Sequence, residues 1–287
     1  MKDVKILSQA LPYIMKFNKK IIVIKYGGNA MKDEKIKEKV IRDIALLKYL
    51  GMFPVVVHGG GPAINEMLYK INKKPEFKMG NRVTDKETMD IVEMVLGGKV
   101  NKEIVSLLNK NNVDAVGITG KDSNMIIAEK KYIYLDKEKI DIGYVGQVKK
   151  IDTKIIKILL ESGIIPVVAP LGTDIDGNTY NINADYVAGE LASALKAEKL
   201  ILMTDIDGLY KDIEDKNSLI KKIDILEIEK LIQDRTINGG MIPKVESCVS
   251  ALKNGVKEVH ILNGEKEHSI LMELFTKDGI GTIITNN

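Results

Sequence analysis

The chain has 287 residues, 45% apolar and 29% charged, with 43 basic against 40 acidic side chains and a formal net charge of +3. That is long enough for one large α/β domain or two fused lobes, and the near balance of charge argues against nucleic acid or a membrane surface as partner. The one cysteine, Cys248, excludes a disulfide framework and a thiolate metal cluster. No apolar run reaches the roughly 18 residues of a membrane span, and the first twenty residues lack a signal-peptide core, so a reducing cytoplasm is the expected location. Nearly all positive charge is lysine. Arg42, Arg82 and Arg235 are the only arginines, and each is a candidate for bidentate contacts that lysine makes poorly, against the commoner role of a solvated surface cation.

Taken in order, the first segment places Val4, Leu7, Leu11, Ile14 and Met15 at helical spacing, with Pro12 expected to bend or break the helix. Its apolar face is expected to pack either on its own domain or on a second subunit. Residues 21–24 form a wholly apolar run before Lys25-Tyr26-Gly27-Gly28, and residues 54–57 form another before His58-Gly59-Gly60-Gly61-Pro62. Between them, residues 33–50 carry Ile36, Val40, Ile44, Leu47 and Leu50 on one helical side, with Gly51 as the stop. Residues 78–85 and 132–150 read as flanking β-hairpins, the second with its turn near Gly143. Further apolar runs at 115–118, 164–169, 200–203 and 256–262 alternate with helices at 153–162, 185–196 and 245–253. Runs without polar alternation fit strands covered on both faces. Strand–helix alternation with right-handed crossovers then gives a three-layer αβα sandwich around an open, mainly parallel sheet. Near residue 175 the chain passes from one half of the sheet to the other. The expected organisation is an interaction helix over 1–18 and one domain over 19–287, with lobes of about 19–175 and 176–287.

Five features carry chemistry. Gly27-Gly28 and Gly59–Gly61 follow two apolar strands, at the ends where open α/β sheets bind ligands. There, main-chain N–H groups and helix N-termini accept anions. Neither cluster has P-loop spacing or the dinucleotide fingerprint. Asn181-Ile182-Asn183-Ala184-Asp185 opens a helix at Asp185, which reads by default as its cap, and the two asparagines just before it exceed what capping requires. Lys244 follows Gly239-Gly240 into the first turn of a helix, where its charge opposes the dipole and lacks the usual structural reason. Thr204-Asp205-Ile206-Asp207-Gly208-Leu209-Tyr210 directly follows a strand and offers hydroxyl, carboxylate and backbone groups to a nucleotide.

The ordered set of Lys25–Gly28, His58–Pro62, Gly80-Asn81-Arg82-Val83-Thr84-Asp85, Asn181–Asp185, Thr204–Tyr210 and Gly239–Lys244 resembles the amino acid kinase superfamily over nearly the whole chain. Within it, the resemblance is to the branch that phosphorylates the γ-carboxylate of N-acetyl-L-glutamate with ATP. That resemblance implies catalytic roles for Lys25 and Lys244 on the transferring phosphoryl group, with Asp185 holding both lysines. It implies substrate contacts from Gly60, Gly61, Arg82 and Asn181. Nucleotide or phosphate contacts would come from Gly27, Gly28, Thr204, Asp205, Asp207, Gly208, Leu209, Tyr210 and Asn238. Magnesium would arrive on the nucleotide, with no dedicated protein metal cage. A carboxylate nucleophile is ionised at neutral pH, so no catalytic histidine is required, and His58 is expected to support its loop. The N-terminal helix and the tail at 271–282 resemble those of arginine-inhibited hexamers, which implies a homo-oligomer (a dimer, or a hexamer through these helices) and an arginine site near Tyr13, Glu273 and Gly279.

Alternatives stand beside this reading. A kinase acting on aminoadipate or glutamate linked to a carrier protein uses nearly the same motifs, and Asn81 stands where an apolar residue is commoner. A non-catalytic amino-acid sensor on the scaffold is disfavoured by the presence of both lysines and Asp185. An NAD-dependent oxidoreductase is disfavoured by the glycine spacing.

Overall fold

The computed structural model describes every residue except Met1, Lys32, Asp136, Asn238 and Asn287. Helix α1 (Lys2–Phe17) leads into β1 (Ile21–Tyr26), α2 (Glu34–Tyr49), β2 (Phe53–His58) and α3 (Gly61–Lys70). A short antiparallel hairpin, β3 (Phe77–Lys78) and β4 (Asn81–Arg82), precedes α4 (Lys86–Glu93), a π-helical stretch Met94–Val100 and α5 (Asn101–Lys110). Next come β5 (Ala115–Thr119), β6 (Ile126–Leu135), β7 (Glu138–Ile151), α6 (Lys154–Glu161), β8 (Ile165–Ala169), β9 (Leu171–Thr173), β10 (Thr179–Asn181) and α7 (Ala184–Leu195). The chain ends with β11 (Lys199–Thr204), β12 (Lys222–Asp224), α8 (Ile225–Gln233), α9 (Ile242–Lys253), β13 (Glu258–Asn263), α10 (Ser269–Phe275) and β14 (Thr282–Thr285).

Eight strands form one sheet in the order β12-β14-β13-β11-β1-β2-β8-β5. Every neighbouring pair is parallel except β13 and β14. Successive side chains on a strand point to opposite faces, and here both faces are covered. Ile22, Ile24, Val56 and Ile201 pack on one side with Ile44, Leu47, Ile64, Leu68 and Leu274. Val23, Val55, Leu200 and Leu202 pack on the other with Ile156, Leu191, Ile228, Cys248 and Leu252. The apolar runs therefore have no polar alternation because neither face meets water. Each such side chain contributes about 1.5–3 kcal/mol on burial. Strands β1, β2, β8 and β5 come from before residue 175 and the other four from after it, so β1 and β11 meet at the seam.

Two local expectations are corrected. Pro12 does not break α1, which runs on to Phe17; the helix is anchored by buried Phe17, while Leu11 and Met15 remain exposed. The turn of the long hairpin is not near Gly143 but beyond Leu135, and β6 and β7 join β9 and β10 in a small closed barrel. Gly143 lies inside β7 at φ +79°, where a Cβ would stand 2.1 Å from the carbonyl oxygen of Thr84. The glycine marks a close approach, not a turn. Thr84 N donates to Ile142 O at 3.0 Å and Tyr144 N to Thr84 O at 2.6 Å, which fixes the barrel against the segment leading out of β4.

Candidate active site

Three charged groups from three elements meet beyond the end of β1. Lys25, next to last in β1, is held in register between Leu202 of β11 and Val57 of β2. Asp185 lies in the first turn of α7, where Asn183 caps the helix by accepting from Asp185 N at 2.8 Å. Lys244 lies in the first turn of α9. Lys25 Nζ is 3.0 Å from Asp185 Oδ1, and Lys244 Nζ is 2.8 Å from Oδ2. Burial would push the Asp185 carboxyl up, but the charges of Lys25 and Lys244 outweigh it and hold the group below the ordinary carboxylate range. The unfavourable placement of Lys244 against the helix dipole is offset by this ion pair.

Helices α7 and α9 are kept close by small residues. Ser247 Oγ donates to the backbone oxygen of Asp185 at 2.7 Å. A Cβ on Gly189 would stand 2.5 Å from that hydroxyl, so glycine sets the approach. The two glycine loops also adjoin: Gly59 N donates to Tyr26 O at 2.8 Å, and a Cβ on Gly27 would be 3.4 Å from both Gly59 N and Lys25 Nζ. Gly28 adopts φ +72° and faces open space.

A cavity of about 230 Å³ opens beside this cluster. Gly59, Gly60 and Gly61 form one wall, and Arg82, Asn181 and Asn183 are on others, with Ile64, Phe77, Leu96, Val145 and Ile182 supplying apolar surface. Arg82 is buried; its Nη2 donates to Gly61 O at 3.3 Å and its guanidinium stacks 4.8 Å from the Phe77 ring centre. Its Nη1 is buried with no hydrogen-bond partner among the described residues. A buried, unsatisfied guanidinium donor is costly without a ligand, and a carboxylate is the anion its geometry suits. Asn181 Nδ2 reaches Thr84 Oγ1 at 3.4 Å. The two asparagines of the Asn181–Asp185 stretch thus divide the work, with Asn183 capping the helix and Asn181 facing the cavity.

His58 lies under the glycine loop and is wholly buried. Asn101 Nδ2 donates to Nε2 at 3.1 Å and to Val167 O at 2.9 Å, and Nδ1 of His58 is 2.8 Å from Gly59 O. Burial holds the imidazole down, to about 4, so it is neutral at physiological pH.

On the far side of α9, the loop after β11 borders a second cavity of about 420 Å³, lined by Ile206, Leu209, Tyr210, Ile237 and Met241 among others. Thr204 Oγ1 is 3.0 Å from Asp205 Oδ1. Asp207 is engaged by Asn263 Nδ2 at 2.9 Å and Lys266 Nζ at 2.8 Å. Leu209 N donates to Thr282 Oγ1 at 2.8 Å, and Gly208 has room for no side chain, since a Cβ would meet that hydroxyl at 2.4 Å. Asn238 lies outside the described residues. Among the described residues, no cluster of three or more His, Cys, Asp or Glu side chains is arranged to hold a metal ion.

Glu273 and Gly279 come together at the end of α10, which lies against α1. Both oxygens of buried Glu273 are engaged: Oε1 with His260 Nδ1 at 2.7 Å, and Oε2 with Ile280 N at 2.7 Å and Gly281 N at 2.9 Å. Burial pushes this carboxyl up, but His260 and the two amides outweigh it and bring it to about 2. Tyr13 of α1 packs on the hydrophobic core. Sequence reasoning missed Ser247, Asn101 and Leu96; the last sits on the π-helical stretch, and a Cβ on Gly60 would be only 2.4 Å from its Cδ2.

The sequence model of the amino acid kinase family matches residues 20–263, and the chain belongs to that family. Its curated relatives are more particular. The acetylglutamate kinase of Methanocaldococcus jannaschii is 53% identical over 98% of this chain and 96% of its own. That of Caldicellulosiruptor bescii is 54% identical over 97% and 95%. Among solved structures, N-acetylglutamate synthase from Neisseria gonorrhoeae, complexed with coenzyme A and N-acetyl-glutamate, superposes with a TM-score of 0.87 at 28% identity. The alignment covers 99% of this chain and 63% of the synthase. Carbamate kinase from Giardia lamblia shares the fold, with a TM-score of 0.67 at 18% identity over 94% of this chain and 99% of its own.

Proposed function

We propose that the protein transfers the γ-phosphoryl group of ATP to the γ-carboxylate of N-acetyl-L-glutamate, giving N-acetyl-L-glutamyl 5-phosphate and ADP, an early step of arginine biosynthesis. The observation that carries this reading is the pairing of Lys25 and Lys244 on one buried carboxylate, Asp185, beside a glycine-walled cavity with an unsatisfied arginine donor. Phosphoryl transfer requires in-line placement and neutralised equatorial charge more than a strong base. The substrate carboxylate is already ionised, and the neutral, buried His58 is not needed as a base.

In this reading Arg82 and Asn181 hold the α-carboxylate, and the N–H groups of Gly60 and Gly61 steer the γ-carboxylate. Lys25 and Lys244 meet the transferring phosphoryl group from opposite sides, with Gly27 and Gly28 along its path. The base and ribose occupy the cavity at Leu209, Tyr210 and Met241, with Thr204, Asp205, Asp207 and Gly208 around them. The phosphates then point at the N-terminus of α9, which favours anions. Magnesium enters bound to the nucleotide phosphates. An ATP donor and a lone buried thiol fit a reducing cytoplasm.

The decisive assay is hydroxamate capture of acyl phosphate with N-acetyl-L-glutamate, L-glutamate, L-aspartate and carbamate. Turnover of N-acetyl-L-glutamate alone, lost in Lys25→Ala and Lys244→Ala, supports the proposal. Failure with every free acid points to a carrier-linked substrate or a sensor. We further infer feedback inhibition by arginine between α1 and α10, near Tyr13, Glu273 and Gly279, in an oligomer built through α1. Exposed Leu11 and Met15 support the second part, and the related synthase has been solved with L-arginine. Deleting residues 1–18 should abolish arginine inhibition and reduce oligomer size; no change in either sinks this inference.

A further inference from the structure

Two cavities lie back to back at the substrate hairpin. The first is the 230 Å³ space described above, and the second, of about 300 Å³, opens between β7 and α7. They share four lining residues: Asn81, Val145, Ile182 and Asn183. Asn183 is committed to capping α7, and Val145 and Ile182 belong to the barrel and its packing. Asn81 alone stands on a short, two-residue strand.

Its position is set by a tether. Lys131 Nζ donates to Asn81 Oδ1 at 3.2 Å, while Asn81 Nδ2 donates to Met79 O at 3.0 Å. The same ammonium lies 5.1 Å from the ring centre of Tyr186, the residue after Asp185. Burial disfavours the charged form of Lys131, and the carboxylate of Glu246, which accepts from Tyr186 Oη, partly offsets it from farther off. A half-buried lysine of β6 that donates to one amide oxygen and lies against one aromatic face of α7 fits a strut that ties the barrel and α7 to the hairpin.

Resting on the proposed function, the substrate has three branches to place. The carboxylate goes to Arg82, and the reacting end goes to Gly60, behind which stand Leu96 and Ile64. The acylamino branch is left facing Val145 and Asn81. We propose that Asn81, tethered by Lys131, is the partition that limits the length of the acyl group, and that the second cavity is unused space for longer acyl chains. An apolar pocket discriminates about 10–200-fold per methylene that fails to fit, so the partition is a specificity-determining element and Lys131 its positioning residue.

The test compares kcat/KM for N-acetyl-, N-butyryl- and N-hexanoyl-L-glutamate in the full-length protein, Asn81→Ala, Lys131→Met and the double variant. The expected result is a hexanoyl-to-acetyl ratio raised at least about tenfold by Asn81→Ala. Lys131→Met should raise it in the same direction by less, and the double variant should do no more than Asn81→Ala. An unchanged ratio in both single variants, including equal loss of turnover for all three substrates, overturns the proposal. Should Asn81→Ala not fold, the Lys131→Met ratio decides alone. An unmodified protein that phosphorylates none of the three refutes the parent reading instead, and is distinguishable because no ratio exists.

Discussion

Asn101 Nδ2 and His58 Nε2 are 3.1 Å apart in the core, which places the imidazole proton on Nδ1, facing the carbonyl of Gly59 2.8 Å away. The glycine loop is thus pinned from below by a neutral histidine. Its folded value, about 4, lies below the ordinary 6.5, so the unfolded chain binds the proton more readily between those values. The stabilisation is complete above about 6.5 and is lost as pH falls through about 4. The gap in unfolding free energy between the natural protein and His58→Asn should shrink by roughly 2–3 kcal/mol from pH 7 to pH 4. Urea denaturation at both pH values measures it, and a constant gap refutes the assignment.

Removing Asp185 leaves two lysines facing each other at the end of the sheet. Asp185→Ala is expected to cost about 3 kcal/mol of stability, and Lys25→Met added to it should recover part of that loss. Lys25→Ala and Lys244→Ala should each lower kcat about 100-fold or more. Denaturant titration and steady-state kinetics check both halves of the claim.

Arg82→Lys keeps the charge but not the planar fork. The KM for the acyl amino acid is expected to rise about 10–100-fold, with the KM for ATP unmoved and kcat altered far less. A change in kcat alone would remove Arg82 from the carboxylate grip.

Gly143→Ala combines a left-handed backbone with a Cβ 2.1 Å from Thr84 O. A loss on the order of 3 kcal/mol is expected. Because Thr84 follows Arg82 by two residues, the KM for the acyl amino acid should rise as well. Thermal unfolding and kinetics on one preparation test whether the two effects travel together.

Much of the fold was legible because both faces of the sheet are buried: a run such as Val55–Val57 has no polar residue to confuse its reading. Lys244 was legible because it broke a local rule, standing where a helix dipole disfavours it, whereas its meeting with Lys25 and Asp185 was implied only by the family resemblance. Gly143 misled because a glycine in a strand signals a turn and a close approach alike, and only the partner, Thr84, separates them. Leu96 gave no signal, since a π-helical stretch carries no distinctive side-chain period. Pro12 did not break α1, the stronger of the two outcomes that propensity allowed.

Asp185 carries a further implication for the proposed transfer. Without the carboxylate between them Lys25 and Lys244 would repel each other, and a site of lysines alone would splay or capture stray phosphate. The carboxylate between them is a resident counter-anion that keeps the cations at their posts. In the proposed transfer, an incoming phosphoryl group would compete with this fixed negative charge for both lysines. Under the proposed function, selectivity for the transition state over resting ATP would follow from the ground-state arrangement of these three side chains.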